Sequence, residues 1–393
     1  MKNYDIPFSP PDISQSEIDN VMDVLRSGWI TSGPYVKKFE EKICSYINCS
    51  DTVAVASATA AMELILKIFD IKKGDEIITT PYTYASTSNV MVHRGIMPTF
   101  VDTDKDSFLI SAENIKKAIT KNTKAIYTVD FAGVPVDYDE IKNMLKEIQR
   151  EDILLVSDSA HSFGATYKGK KVGTQFHFHA FSFHAVKNLT TAEGGAITYD
   201  NDNLSYKGDL YRDLKIFSLN GQTKDAFSKT KAGAWEYDII TDGFKCNMTD
   251  IQGAIGVAQL QRYEGILQHR RKIFSIYDSI LGKEDFAILP FSKNEIKETS
   301  YHLYPLRIKG FDEEKRNRLV EMLADMGIAT NVHFIPLPMF TLYKNLGYNI
   351  SNYPNAYNQY ATEISLPVYS ILSLENAEII ANEVVNCVKE ILK

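Results

Sequence analysis

Hydrophobic residues recur with two alternating spacings between about residue 50 and residue 160. Short β-branched runs such as TVAVAS, DEIITT and KAIYTVD have the composition of buried strands. Segments with the helical spacing of apolar residues follow them, for example ATAAMELILKIFDI after TVAVAS and YDEIKNMLKEIQR after KAIYTVD. Strands that alternate with helices predict an α/β fold with an open, mostly parallel sheet and helices on both faces.

The pattern changes after Phe176. The runs FHFHAFSFHA and GGAITYD predict consecutive strands without a long helix between them. The segment MTDIQGAIGVAQLQRYEGILQHRRKIFSIYDSIL then predicts a long helix that bridges to a second lobe, which contains the strand YHLYPLRI and two further helices. We therefore predict a large α/β domain with an N-terminal arm over residues 1–250. A bridging helix and a small α+β domain are predicted over residues 251–393.

The composition is compatible with these two lobes and narrows the class of partner. A chain of 393 residues exceeds the length at which one core usually keeps growing. The net charge of −7 argues against nucleic acid or an anionic membrane as the main partner. The four cysteines are scattered without a CxxC pair, and no signal-peptide run or long uncharged apolar stretch is visible. These features predict a cytoplasmic protein with free thiols.

Polar and small residues at strand ends are the candidate ligand contacts, because ligands of open parallel sheets bind there. Ser57, Ala58, Thr59 and Ala60 follow TVAVA and open the next helix, where free backbone amides favour a phosphate. An ordinary helix N-cap is the alternative interpretation. Neither GxGxxG nor GxxxxGK[ST] occurs, which argues against dinucleotide and Walker-type nucleotide sites.

Asp158 and Lys187 follow two further apolar strands. An acid at the end of ILLVS ionises poorly without a positive partner. That partner could be a protonated pyridine nitrogen or, alternatively, a lysine, an arginine or a helix N-terminus. The apolar FSFHAV before Lys187 would lower the pKa of its amine, as a nucleophile requires, although a lone lysine is more often a surface residue.

Aromatic residues complete a possible site. Tyr82 and Tyr84 follow another strand and could present a ring face to a planar ligand, or simply pack in the core. An anion cradle, an aromatic face, an acid for a ring nitrogen and an amine for a Schiff base are together the parts that pyridoxal phosphate requires.

Two other chemistries have less support. His177, His179 and His184 cluster, and the first two could share one face of a strand as metal ligands. No HExxH motif accompanies them, so we predict no metal site. The absence of GxSxG argues against a serine hydrolase of the nucleophile-elbow type.

An ordered set of motifs resembles one family over nearly the whole chain. The motifs are GWITSGP, SATAAMELIL, SDSAHSFGA, SFHAVKNLTTAEGGAI, GFKCNMTDIQGAIGVAQL and VHFIPL. This set resembles the DegT/StrS family of sugar-nucleotide aminotransferases, which depend on pyridoxal 5′-phosphate (PLP). The resemblance implies the aspartate-aminotransferase-like fold, known as fold type I, with a large domain around a mostly parallel sheet and a smaller C-terminal α+β domain.

The resemblance also implies roles around the cofactor. Lys187 would form the Schiff base and later carry the proton, and Asp158 would keep the pyridine nitrogen protonated. Tyr84 takes the place of a stacking aromatic that is often tryptophan or phenylalanine in relatives, and His161 matches a position beside the cofactor. The phosphate ligands would be Ala58, Thr59 and Ser182.

Further positions match parts of the family's substrate site and subunit interface. Lys245 corresponds to a residue that reaches the cofactor phosphate of the neighbouring subunit, which implies a homodimer with shared active sites. Cys246 departs from the tyrosine usual next to it. The residues implied on the substrate side are Thr31, Glu193, His333 and Phe334, the last in place of a commoner tyrosine.

The reaction implied is a two-stage transamination. Some relatives carry histidine at the position of Lys187 and deoxygenate sugars, whereas lysine implies a transaminase. The TTAEGG segment resembles enzymes that aminate C4 of a nucleotide-linked 4-keto-(6-deoxy) sugar. The family resemblance implies a role in amino-sugar biosynthesis for a surface glycan, such as the O-antigen of lipopolysaccharide. L-glutamate is the implied donor, with pyridoxamine 5′-phosphate (PMP) as the intermediate cofactor form. The alternatives are a 3-keto sugar enzyme and a catalytically silent regulatory or ligand-binding relative.

Overall fold

The structure, a computed structural model, describes residues 4–224 and 235–393. The helices are α1 (Gln15–Ser27), α2 (Pro34–Ile47), α3 (Ala58–Ile68), α4 (Ala85–His93), α5 (Ala112–Ala118), α6 (Tyr138–Glu147), α7 (Leu210–Phe217), α8 (Asp250–Gln261), α9 (Tyr263–Leu281), α10 (Glu313–Asp325), α11 (Thr341–Asn345), α12 (Pro354–Thr362) and α13 (Leu374–Ile391). None of these helices is both long and apolar enough to cross a membrane.

The strands form one large sheet and two small ones. They are β1 (Asp51–Val55), β2 (Glu76–Thr79), β3 (Pro98–Phe100), β4 (Thr123–Val129), β5 (Leu154–Asp158), β6 (Thr166–Tyr167), β7 (Lys170–Lys171), β8 (Phe178–Ser182), β9 (Gly195–Tyr199), β10 (Ala287–Ile288), β11 (Lys297–Glu298), β12 (Tyr304–Ile308) and β13 (Glu363–Leu366). The small sheets have the orders β10-β12-β13 and β11-β6-β7.

The large sheet has seven strands in the order β1-β9-β8-β5-β4-β2-β3. The neighbouring strands β3, β2, β4, β5 and β8 all pair in parallel. Strand β9 runs antiparallel to both of its neighbours, β8 and β1. Because no helix separates β8 from β9, the chain cannot make the crossover that a parallel pair needs. The predicted α/β class with a mostly parallel sheet is confirmed, and so is the pair of consecutive strands after Phe176.

The bridging segment differs from the single long helix that its sequence predicts. Helices α8 and α9 meet at Arg262, whose φ of −108° and ψ of 7° are not helical. The Arg262 side chain is held by Glu17 Oε1 and Asp12 Oδ2, each 2.9 Å away. Neither proline nor glycine marks this break, and the partners lie some 250 residues earlier in the chain, so the local pattern contains no signal for it.

Apolar side chains form separate buried clusters in the two lobes. Two of the clusters lie against the large sheet. A third is built from residues of α9, α10 and α13 and the sheet β10-β12-β13, and it includes Ile6 from the N-terminal arm. Ile6 reaches this lobe through a parallel bridge to Ile328. The predicted domain bounds are not tested by these contacts and stay a prediction.

Asp130 ties together the loops at the carboxyl end of the large sheet. The residue directly follows β4 and is fully buried. Its Oδ1 accepts a hydrogen bond from the Val136 amide at 3.1 Å. Its Oδ2 accepts hydrogen bonds from four hydroxyl groups, those of Tyr138, Ser157, Ser159 and Ser162 at 2.7–3.0 Å. The segment after β5 is therefore anchored to β4 through one carboxylate.

Candidate active site

The carboxyl ends of the large sheet's strands surround a cavity of about 420 Å³. Val129, Asp158 and Ser182, which end β4, β5 and β8, all line it. Ten of the residues predicted from the sequence lie in the lining, namely Ala58, Thr59, Tyr84, Asp158, His161, Ser182, Lys187, Glu193, His333 and Phe334. Residues spread over nearly 280 positions of the chain thus meet in one place.

Lys187 lies in the turn after β8, where its backbone amide donates to the carbonyl of His184 at 2.9 Å. The side chain is half-buried, and its exposed part faces the cavity. Desolvation lowers the pKa of the Lys187 amine to about 8, although the negative charge of Asp158 opposes this shift. Within the described ranges no carboxylate forms a salt bridge with the amine, so a fraction of it is neutral and can act as a nucleophile near neutral pH.

Asp158 is only 4% exposed at the end of β5. Its Oδ2 accepts a hydrogen bond from the Thr87 hydroxyl at 2.6 Å, and its Oδ1 accepts one from the Ala160 amide at 3.1 Å. Burial raises the pKa of this carboxyl, and the charge of Lys187 only partly offsets that shift. No lysine or arginine forms an ion pair with Asp158 in the part of the chain that the structure describes. A cationic ring nitrogen would supply the partner that the ionised carboxylate lacks.

The first turn of α3 forms the anion cradle. The Ser57 hydroxyl caps the helix by accepting a hydrogen bond from the Ala60 amide at 3.1 Å, so the N-cap interpretation is correct for Ser57. The amides of Ala58 and Thr59 lie in the first turn, where amides have no helical partner. Gly195 of β9 permits the close approach, because a Cβ there would lie 2.3 Å from the Ser57 carbonyl carbon. These residues fit a phosphate group.

The two tyrosines after β2 have different environments. Tyr82 is fully buried, and its hydroxyl donates to the His333 carbonyl at 2.7 Å, so it packs in the core. Tyr84 is 65% exposed and lines the cavity, with its ring centroid 6.1 Å from that of Phe334. Tyr84 is therefore the ring that can face a planar ligand.

His161 is joined in the cavity wall by a second histidine that sequence reasoning missed. His161 Nδ1 accepts a hydrogen bond from the Ala132 amide at 3.2 Å, which leaves the proton of the neutral ring on Nε2. His302 lies 4.3 Å from it between ring centroids, and burial lowers the pKa of both rings well below the usual value. His302 comes from the second lobe, and no motif in the sequence marks it.

His302 also reaches the neighbour of Lys187. Its Nδ1 lies 2.9 Å from Oδ1 of Asn188, and the Asn188 amide group donates to the Ser300 carbonyl at 2.7 Å. The second lobe thereby fixes the turn that carries Lys187. Thr87, which holds Asp158, is likewise a contact that the sequence pattern did not predict.

The remaining predicted residues lie at the mouth of the cavity or outside its lining. Glu193 Oε1 lies 3.6 Å from His184 Nε2, and both side chains are exposed at the mouth. Thr31 does not line the cavity, and its carbonyl accepts a hydrogen bond from the Asp250 amide at 3.1 Å. Lys245 lines a neighbouring cavity of about 390 Å³ together with Ser57 and Thr59.

The histidines considered as metal ligands have other partners. His177 Nδ1 accepts a hydrogen bond from the Leu155 amide at 2.8 Å. His179 Nε2 accepts one from the Phe176 amide at 3.1 Å. No group of three or more histidine, cysteine, aspartate or glutamate residues with metal-binding geometry is found among residues 4–224 and 235–393. All four cysteines are free thiols.

Sequence comparisons place the chain among aminotransferases. The model of the DegT/DnrJ/EryC1/StrS aminotransferase family matches residues 11–385. The chain is 43% identical over 390 residues to the uncharacterized protein MJ1066 of Methanocaldococcus jannaschii, covering 98% of this chain and 97% of MJ1066. It is 35% identical over 399 residues to the spore coat polysaccharide biosynthesis protein SpsC of Bacillus subtilis, covering 100% of this chain and 98% of SpsC.

Solved structures agree with these matches. The PMP form of Spr1654 from Streptococcus pneumoniae, assigned as a sugar aminotransferase, is 43% identical and has a TM-score of 0.94 over 98% of this chain and 100% of that one. The PLP and apo forms of Spr1654 have TM-scores of 0.94 and 0.93. The fold is therefore the fold type I of PLP-dependent transferases. Over almost its whole length, the chain belongs to the DegT/DnrJ/EryC1/StrS aminotransferase family.

Proposed function

We propose that this aminotransferase converts the ketone of a nucleotide-linked 4-keto-(6-deoxy) sugar into an amine, with L-glutamate as the donor. The observation that carries the transaminase assignment is the Lys187 amine, which shares a cavity with the buried carboxylate of Asp158. Burial lowers the pKa of that amine to about 8, which suits the proton transfers of a transaminase.

The cofactor of the family is PLP, which when bound supplies an electron sink for the negative charge at the reacting carbon. The cavity contains groups suited to each part of it. Lys187 would hold it covalently and Asp158 would pair with its ring nitrogen. Tyr84 and His161 would contact its ring, and the phosphate would be bound by Ala58, Thr59 and Ser182.

The chain's own groups then perform the proton transfers. Because its pKa is about 8, the Lys187 amine can accept a proton from the donor's α-carbon and return one to the sugar carbon near neutral pH. Asp158 maintains positive charge at its partner, and the hydrogen bonds from Thr87 and Ala160 fix its orientation. Phe8, Leu303 and Val368 line the same cavity and give part of its wall an apolar surface.

We propose C4 as the position on the sugar that is aminated. Its support is the TTAEGG segment, whose Glu193 lies at the cavity mouth where a sugar would enter. Amination at C3 is the alternative within the family. The name of SpsC, a polysaccharide biosynthesis protein, supports a surface glycan as the destination of the product. A cytoplasmic location is supported by the four free thiols, since unpaired cysteines persist in reducing compartments.

A panel of UDP-, dTDP- and GDP-linked keto sugars, with glutamate as donor, tests this function. We expect a 4-keto-6-deoxy sugar to gain one amine by mass spectrometry, with ¹⁵N from labelled glutamate bound to C4 by NMR. Label at C3 would transfer the assignment to the 3-keto class. A protein that binds PLP yet is not converted to the PMP form by any amino donor would contradict the transaminase assignment.

We also propose a homodimer in which Lys245 reaches the cofactor phosphate of the partner subunit. The side chain is exposed beside the α3 cradle, where it lines a cavity with Thr59. Lys187→Ala and Lys245→Glu are each expected to be poorly active. A heterodimer of the two, isolated with two affinity tags, contains one intact shared site and should regain about half of the wild-type activity. An inactive heterodimer would show that Lys245 serves its own subunit's site. A fully active Lys245→Glu homodimer would show that Lys245 serves neither site.

A further inference from the structure

A chain of hydrogen bonds runs from the active-site cavity to a buried carboxylate. His333 lines the cavity, and its Nδ1 lies 2.9 Å from the Ser365 hydroxyl oxygen. The Ser365 hydroxyl oxygen is also hydrogen-bonded to Oε1 of Glu363. The other carboxylate oxygen of Glu363 accepts a hydrogen bond from the His333 backbone amide at 3.0 Å. Both Glu363 and Ser365 lie on β13 with no exposed surface.

The Ser365 hydroxyl has a single proton, so it can donate a hydrogen bond to only one of its two partners, Glu363 or His333. When Glu363 is ionised, Ser365 donates to it, so His333 Nδ1 must donate to Ser365 and Nε2 carries a lone pair. When Glu363 is protonated, the carboxyl can donate to Ser365, and Ser365 can donate to Nδ1. The ring proton is then on Nε2. Nδ1 is occupied in both states, which leaves Nε2 as the ring nitrogen available to a ligand.

The imidazole of His333 stays neutral throughout this exchange. Burial lowers the pKa of His333 to about 3, and the positive charge of Lys187 lowers it further. Only the position of the ring proton changes, not the charge of the ring.

Several charged or titratable groups surround Glu363. Arg316 of α10 donates to the Glu363 backbone carbonyl and lowers the pKa of the carboxyl. Arg307 of β12 is the cross-strand partner of Glu363, and the hydroxyl of Tyr82 is bound to the His333 carbonyl. Burial outweighs the charge of Arg316 and the hydrogen bonds from Ser365 and the His333 amide, and it raises the pKa of Glu363 to about 8. Both arrangements of the hydrogen bonds between Glu363, Ser365 and His333 therefore occur within the range of pH in which an enzyme can be assayed.

We propose that Glu363, acting through Ser365, determines which ring nitrogen of His333 carries the proton, and hence whether His333 donates to or accepts from the sugar substrate. Glu363 does not touch the cavity and is a positioning residue. The consequence for the sugar rests on the proposed function, because it requires His333 to face the substrate. Near pH 7 Nε2 of His333 carries a proton, which suits an oxygen acceptor on the keto sugar. Near pH 9 Nε2 carries a lone pair instead.

The position of the proton can be measured without any substrate. We expect ¹⁵N-histidine NMR of the holoenzyme to show His333 changing from the Nε2–H to the Nδ1–H tautomer as the pH rises through about 8. The His333 signal is assigned by its loss in His333→Asn. His177 is the internal reference, because its Nδ1 is held by the Leu155 amide and its tautomer should not change.

Two variants test whether Glu363 controls the tautomer of His333 through Ser365. Glu363→Gln places an amide donor beside Ser365, so His333 should remain Nε2–H at every pH. Ser365→Ala removes the connection, and the tautomer of His333 should no longer follow the state of Glu363. A wild-type His333 with one tautomer from pH 6 to pH 10, or a change of tautomer that persists in Glu363→Gln, would overturn the proposal.

The kinetic consequence separates this inference from the proposed function. In the wild type, KM for the keto sugar should rise about tenfold from pH 7 to pH 9, the loss expected for one hydrogen bond, relative to KM for glutamate. Glu363→Gln should abolish that difference and keep the low KM. If the tautomer changes but both KM values follow the same pH profile, Glu363 does control the tautomer of His333, but that tautomer has no role in sugar binding.

Discussion

Replacing Lys187 with alanine is expected to lower the rate of amino transfer by about 10⁴-fold or more, because in the proposed mechanism this one side chain both holds the cofactor and moves the proton. Borohydride reduction of the wild-type holoenzyme should fix the cofactor on the peptide that contains Lys187. The variant should yield no modified peptide. Small amines added to the variant should restore part of the rate, since they can carry the proton in place of the missing side chain.

Lys171→Ala is the matched control for this variant. Lys171 is also half-buried, but its amine forms an ion pair with Glu264 at 2.7 Å and lies outside the cavity lining. Its removal should leave turnover nearly unchanged. Near-normal turnover of Lys187→Ala, or cofactor trapped on a different peptide, would contradict the assignment of Lys187.

Asp158→Asn is expected to lower turnover by about 10³-fold, because it removes the buried negative charge that we propose pairs with the ring nitrogen of the cofactor. The asparagine side chain can still be held by Thr87 and Ala160, which now donate to Asp158 at 2.6 and 3.1 Å. The loss should therefore appear in the rates of both half-reactions and in the absorbance spectrum of the bound cofactor, with little change in thermal stability.

Thr87→Val is the comparison for Asp158→Asn. It removes one hydrogen bond to the carboxylate and keeps the charge, so we expect a loss of only about tenfold. A Thr87→Val variant as impaired as Asp158→Asn would indicate that orientation, rather than charge, is the main contribution of this carboxylate. Wild-type rates in Asp158→Asn would show that the ring nitrogen has a different partner.

The parts of the site that the sequence predicted are those encoded locally. The alternation of strands and helices places Asp158 and Lys187 after apolar strands, and the large sheet brings β5 and β8 side by side. Their convergence follows from the rule that ligands bind at the carboxyl ends of parallel strands. Helix α1 is also encoded locally, because its capping box of Ser14 and Glu17 lies within four residues and Gly28 ends it.

The features of the site and of the fold that the sequence did not predict depend on contacts between distant segments. His302 reaches Asn188 across 114 positions, and Glu363 reaches His333 across 30. The break at Arg262 likewise depends on Asp12 and Glu17. None of these residues belongs to a local pattern of turn, cap or hydrophobic spacing, so only the packed structure reveals them.

The carboxylate of Asp130 has a consequence for the thermodynamics of cofactor loading. Donors of the protein itself converge on it and hold both the end of β5, with Asp158, and the segment after it, with His161. Little conformational entropy then remains to be lost in this segment when the cofactor enters. Loading should resemble the filling of a preformed receptor rather than coupled folding and binding, with a correspondingly small change in heat capacity.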